Sequence, residues 1–122
     1  MLLCIMKYDL ETRTAAFGGL VIAFAKGLPR DLIGDVVVVQ LVRSATSIGA
    51  NYAEANGASS KRDFRNKIFL CKKEAQETRH WLRMCASAFP ERTPKLKALA
   101  QEAHELTLIF QKIASSPSLK EV

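Results

Sequence analysis

Apolar residues recur along this chain at three- and four-residue steps, the spacing that brings side chains onto one face of an α-helix. The clearest row is Phe64, Ile68, Cys71, Ala75, Thr78, Leu82, Cys85 and Phe89, a heptad seam stepping 4, 3, 4, 3, 4, 3, 4. It predicts a helix over about 61–88. The opening Ser60-Lys61-Arg62-Asp63 resembles a capping box, in which hydroxyl and carboxylate reciprocally satisfy amide protons. Pro90 and Pro94 bracket the next turn. A second row, Leu96, Leu99, Ala103, Leu106, Phe110 and Ile113, predicts a helix over about 95–114, which Ser115-Ser116-Pro117 ends.

The first half of the chain is less sharply patterned. Leu10, Phe17, Val21, Phe24 and Leu28 keep the four-three spacing once Thr14 is admitted to the row, giving a helix over about 9–26. Asp9 is its expected N-cap and Gly27-Leu28-Pro29 its stop. Gly18 and Gly19 each weaken a helix interior by up to about 1 kcal/mol relative to Ala, which is tolerable where another backbone packs close. Val36 to Val39 read locally as a buried strand, yet Val39, Val42, Thr46, Gly49 and Ala53 extend the pattern without a turn signal. That stretch is too long for a typical strand, so a helix over about 31–56 is expected. Its second half, residues 44–53, is rich in small side chains and would admit a neighbouring helix closely. Asn51, Tyr52 and Glu54 follow Gly49 there; Asn51 is expected to donate to a facing backbone carbonyl, the functional alternative being a ligand site at the helix end.

Four helices joined by short connections predict an all-α fold, an antiparallel up-down-up-down four-helix bundle forming a single domain over residues 1–122. The last five residues are expected to fray. Length changes this picture little: 122 residues, 48% of them apolar, can bury a core without staples. Three Cys form no disulfide framework and no Cys-x-x-Cys pair. Cys71 and Cys85 read as small buried hydrophobes, and Cys4 falls in a loose N-terminus. No uncharged apolar run approaches the roughly 18 residues of a membrane span, and the start lacks a charged leader region. A cytoplasmic location without a membrane partner is the expectation.

Charge changes the picture more. The formal net charge is +6, and eight bases against three acids fall between Lys61 and Arg83, leaving the remainder of the chain nearly neutral. On a helical wheel Lys61, Arg65, Lys72, Arg79 and Arg83 lie within about 40° of one another, a stripe roughly 33 Å long beside the apolar seam. Each could neutralise a phosphate, with steeply salt-dependent binding. The plainer alternative is a solvated face whose stems cover the core edge. No aromatic interleaves the stripe, so phosphate contact without base choice is expected. The opposite flank carries Asp63, Leu70, Glu74 and Trp81, with Glu77 nearby. Leu70, Glu74 and Trp81 are candidates for a subunit interface, since a basic flank opposed to an acidic one suits head-to-tail, ring-closing association. A second core facet within one bundle would use Trp81 equally well.

Catalytic and metal chemistry find little support. Glu77-x-x-His80 has the spacing used in di-iron bundles, which need two such pairs and two further carboxylates. Around His104 the matching position is Gln101. Neither His has an Arg at the offset used by small helical ribonucleases, and no phosphate-binding Gly-rich loop or Gly-x-Ser-x-Gly elbow occurs. No enzyme activity, metal or cofactor is expected.

Residues 43–55, Arg43-Ser44-Ala45-Thr46-Ser47-Ile48-Gly49-Ala50-Asn51-Tyr52-Ala53-Glu54-Ala55, together with Ser60, Asp63-Phe64 and the run from Lys73 to Leu82, resemble the bacterial four helix bundle protein family, also called the large-subunit rRNA intervening-sequence proteins. The resemblance spans about a third of the chain. Gly49 stands where many relatives have Pro and Ala55 where many have Gly. The resemblance implies a homo-oligomer, a pentameric ring of bundles, without established enzymatic activity. The family is similar to the accessory protein of diversity-generating retroelements, which implies RNA or DNA and a reverse transcriptase or other nucleic-acid enzyme as partners. Two functions follow as expectations. One is a non-enzymatic oligomeric bundle holding RNA or DNA on the helix 3 stripe, as an adapter for a nucleic-acid-processing partner. The other is an oligomeric scaffold that binds only protein.

Overall fold

Four amphipathic segments fold as two helical hairpins: α1 (Leu10–Lys26) with α2 (Leu32–Asn56), and α3 (Lys61–Ala88) with α4 (Thr93–Ala114). The computed structural model describes residues 9–119, which contain no strand; Cys4 and the extreme C-terminal residues expected to fray lie outside them. Single-turn 3-10 helices, Pro90–Arg92 and Pro117–Leu119, follow α3 and α4. Each helix packs on its neighbour in sequence, and the α1–α4 contact that closes the bundle is much the smallest. The chain therefore runs up, down, up and down, as short connections require.

Local chemistry sets the helix starts. At α3 the Ser60 hydroxyl accepts the Asp63 N–H at 3.0 Å, and the Asp63 carboxylate accepts the Ser59 N–H at 3.2 Å, one residue earlier than a full capping box. At α2 the Asp31 side chain caps Ile33 N–H at 3.0 Å. Asp9 does not cap α1 in the expected way. Its backbone is left-handed, with φ 45°, and its side chain makes no cap hydrogen bond; its carbonyl instead accepts Arg13 N–H at 2.9 Å. Helix α4 starts at Thr93, ahead of the expected position, because Pro94 falls in its first turn, where a missing N–H costs nothing.

Two of the expected rows enter the core intact: Leu10, Thr14, Phe17, Val21 and Phe24 of α1, and the full Leu96 to Ile113 row of α4. The α3 seam is buried from Ile68 to Phe89, with Phe64 packed at its edge. Tyr52 and Phe110 meet near the middle at 6.2 Å between ring centroids. Helix α2 departs from expectation. Its core row is Leu41, Ala45, Ile48, Tyr52 and Ala55, whereas Val39, Thr46 and Ala53 of the expected row are exposed. Both faces of α2 are apolar, so periodicity did not distinguish the row facing the core from the row along its α1 edge.

The small residues allow the expected close approach at that edge. A Cβ on Gly18 would lie 3.7 Å from Thr46 Cα, and one on Gly49 only 3.3 Å from the Thr14 hydroxyl. Gly19, by contrast, faces open space with nothing within 4 Å. Between α2 and α3 the buried Ser44 and Thr78 hydroxyls sit 3.0 Å apart. Asn51 donates at 2.9 Å to Ser47 O of its own helix instead of a facing one, so its polarity is satisfied locally. Across the α1–α4 opening, the Arg13 guanidinium binds both Glu102 carboxylate oxygens at 2.8 Å and reaches Glu105 at 3.3 Å.

Candidate functional site

The straight run of α3 carries the five stripe cations along the side that faces α4, and the structure divides them. The Arg65 Nε donates to Ala114 O at 3.0 Å, placing a cation on the negative end of the α4 dipole. Its guanidinium lies 4.8 Å from the Phe69 ring centroid. The Lys72 ammonium donates to the Gln111 Oε1 on α4. These two positions tie α3 to the last turn of α4. Lys61, Arg79 and Arg83 are exposed, and none of the five pairs with a carboxylate among the described residues. Phe69, 38% exposed, corrects the expectation that no aromatic accompanies the stripe. It was missed because it lies beside the row on the helix wheel and meets it only through the reach of Arg65.

The free end of the stripe borders a groove of about 650 Å³ between α3 and α4. Arg79 and Arg83 line it from α3, and Lys97 lines it from α4. The floor is aliphatic: Leu82 and Ala86 on one side, Leu96 and Ala100 on the other. Gln76, His80 and Thr93 add hydrogen-bonding groups, and no carboxylate lines the groove. The opening exists because Ala86 and Ala100 are too small to fill the space between the two helices. The His80 ring is held edge-on to Trp81, with centroids 4.8 Å apart. Lys97 escaped the sequence reading because only the buried row of α4 was periodic. Its place one residue after Leu96 put it on the outward rim, and that was the available signal.

The other flank of α3 is used inside the chain. Arg43 of α2 reaches Glu74 at 3.6 Å and forms a closer ion pair with Glu77. The Trp81 indole N–H donates to Glu77 at 3.3 Å, and the ring packs half-buried against the core. Leu70, at 40% exposed, is the outward member of the expected interface trio. Leu70, Glu74 and Trp81 therefore do not form one free acidic and aromatic patch, because the α2 helix occupies that side.

Glu77 is likewise engaged by Arg43 and Trp81, apart from the His80 imidazole that lines the groove. No group of three or more potential metal donors occurs among the described residues. Burial pushes the Cys71 thiol up to about 12 and the Cys85 thiol up to about 11. Both stay protonated near neutral pH and lack the thiolate that nucleophilic chemistry needs.

The outer face of the first hairpin has the opposite character. From Thr12 to Ala25 the only charged residue is Arg13, which is turned onto α4. Leu20 (58%), Ile22 (42%), Val36 (63%) and Val39 (64%) remain exposed. Beside them a groove of about 450 Å³ runs between Ala15 and Gly19 of α1 and Ala50 and Ala53 of α2. Among the described residues α2 is the helix long and apolar enough to cross a membrane by length and composition. Its apolarity is divided between the core row and this outward face, and Arg43 stands midway along it.

A family model described as 23S rRNA-intervening sequence protein matches residues 12–112. Among solved structures the chain is similar to a protein of unknown function from the S23 ribosomal protein family of Bacteroides thetaiotaomicron VPI-5482. The two share 28% identity with a TM-score of 0.79, over 87% of this chain and 98% of that one. No curated protein matches the chain significantly.

Proposed function

The chain belongs to the 23S rRNA-intervening sequence protein family, and from that premise we propose that it is a non-enzymatic, homo-oligomeric bundle that binds RNA or DNA phosphates along α3. One observation carries the binding: Arg79, Arg83 and Lys97 line a groove without a carboxylate, while Lys61 is exposed at the far end of the same stripe. Cations left without acidic partners attract a polyanion and release its counterions. Arg65 and Lys72 serve mainly to hold α3 on α4, so their contribution to binding is the smaller. A bundle that holds a strand without changing it would act as an adapter for an enzyme that processes nucleic acid. A reverse transcriptase is the partner that the family resemblance implies.

The exposed apolar face of α1 and α2 supports self-association, with five copies the number implied by the resemblance. Large exposed apolar side chains on neighbouring helices are what an interaction face requires. Light scattering should give a mass several times 13.5 kDa. Val36→Asp with Val39→Asp should reduce it towards one copy, whereas Leu70→Ala should change it less.

Binding is tested by titrating labelled oligonucleotides from low to physiological salt. Arg79→Glu with Arg83→Glu should weaken binding more than about tenfold and flatten the salt slope by roughly two phosphate contacts. Binding that ignores salt and these substitutions would remove the phosphate reading and leave the protein-only scaffold.

A further inference from the structure

Cationic rims alone would suit any polyanion, but the space between them is concave and its floor is aliphatic. A duplex presents a convex rod whose bases are stacked inside and reached only through its grooves. A single strand can turn an unstacked base outward, placing its flat apolar face in a cleft while its phosphates stay at the rim. The α3–α4 groove offers both halves of that fit. Arg79 and Arg83 stand four residues apart, about 6 Å along the helix axis, on one lip. Lys97 faces them from the other, and Ala86 and Ala100 leave room between. The groove volume of about 650 Å³ is ample for one base with its sugar. His80, held edge-on by Trp81, supplies a ring against which a base can lie.

We infer that this groove is a nucleotide pocket for single-stranded nucleic acid, seating one base over the Ala86 and Ala100 floor while Arg79, Arg83 and Lys97 hold the flanking phosphates. The inference rests on the phosphate-binding function proposed above and narrows its ligand to single strands. The shared chemistry is an unpaired base with a phosphodiester on each side, which RNA and DNA both supply. Neutral side-chain hydrogen bonding in the pocket falls to Gln76 and His80, while the Thr93 hydroxyl, which donates to Pro90 O at 2.7 Å, can accept.

The experiment compares single-stranded DNA, single-stranded RNA and duplex DNA of about 20 nucleotides by fluorescence anisotropy at one salt concentration. Wild-type protein should favour the single strands over the duplex by roughly tenfold. Ala100→Phe fills the groove without altering charge. It should bring single-strand affinity down to the duplex level and leave duplex affinity unchanged. Ala86→Met tests the same point from α3 if Ala100→Phe does not fold, as judged by circular dichroism. Photocrosslinking with a halogenated single strand should mark residues between 76 and 100.

Equal affinity for single strands and duplex would overturn the pocket. So would a folded groove-filled variant that binds single strands as well as wild type. Either result leaves the phosphate stripe standing if Arg79→Glu with Arg83→Glu still weakens binding and flattens its salt slope, so the two proposals fail separately. A preference for RNA over DNA single strands would identify the 2′-hydroxyl as a further contact and support the pocket, as would equal binding of both.

Discussion

The two hairpins of this bundle obey the same packing rules yet meet solvent in opposite ways. On α3 and α4 the outward positions are dominated by Lys, Arg and Gln, so the buried seam stands out sharply against them. On α1 and α2 the outward positions include Leu20, Ile22, Val36 and Val39, and charge is confined almost to the helix ends and Arg43. A water-facing helix needs polar residues opposite its core row; a helix covered on two sides does not. The contrast thus separates a hairpin whose outward side is largely charged and polar from one whose outward side is largely apolar.

The sharpest way to break that contrast is to truncate equivalent apolar residues in each half. Leu82→Ala on the α3 seam should cost about 2–5 kcal/mol in urea unfolding, as buried truncations do. Val39→Ser on the outer face should change a dilute, unassociated chain by no more than about 0.5 kcal/mol. A large loss at Val39 under those conditions would show that the residue is part of the core.

A smaller effect is expected where the start of α2 packs beside the end of α3. A Cβ on Gly34 would come within 2.5 Å of the buried Phe89 ring at the end of α3. Gly34→Ala should therefore cost about 1–3 kcal/mol of unfolding free energy, because the ring has to move within a packed site. Gly19 is the converse, with open space around its Cα. Gly19→Ala should raise stability by about 0.5–1 kcal/mol through helix propensity alone. Loss of stability there would mean that another chain already lies against it.

The mildest difference concerns the thiols of α3. Unfolded thiols ionise near pH 8.5, while Cys71 in the fold does so near 12 and Cys85 near 11. Because the folded values are raised, the contribution to stability is complete below about pH 8.5 and fades as pH climbs towards those values. Alkaline titration followed by circular dichroism should show that decline. Cys71→Ala should flatten it, and a thiol reagent at neutral pH should label neither residue until urea unfolds the chain.

The same contrast decides how much could be read from the chain. The α3 and α4 rows were legible to the residue, because each alternates with charge. On α2 the row Val39, Val42, Thr46, Gly49 and Ala53 competed with Leu41, Ala45, Ile48 and Tyr52 on equal terms, and the first of these proved to be the α1 edge. Four consecutive valines imitated a strand for the same reason. The close crossing at Gly18 and Gly49 was visible in the small residues themselves. At the site, the cations on α3 could be placed by angle, but their neighbours could not. That Arg65 and Lys72 are engaged by α4, that Lys97 joins the rim and that Arg43 occupies Glu74 and Glu77 all depend on which helix lies beside which.

Arg13 has one more consequence. Because α1 has only a slight contact with α4, that edge of the molecule is held by a guanidinium grasping Glu102 and Glu105. Helix α1, whose buried row packs into the core beside α2, is thus latched to α4 by charge. Its amide hydrogens should exchange with deuterium ahead of those of the other three helices, and faster still as added salt weakens the latch.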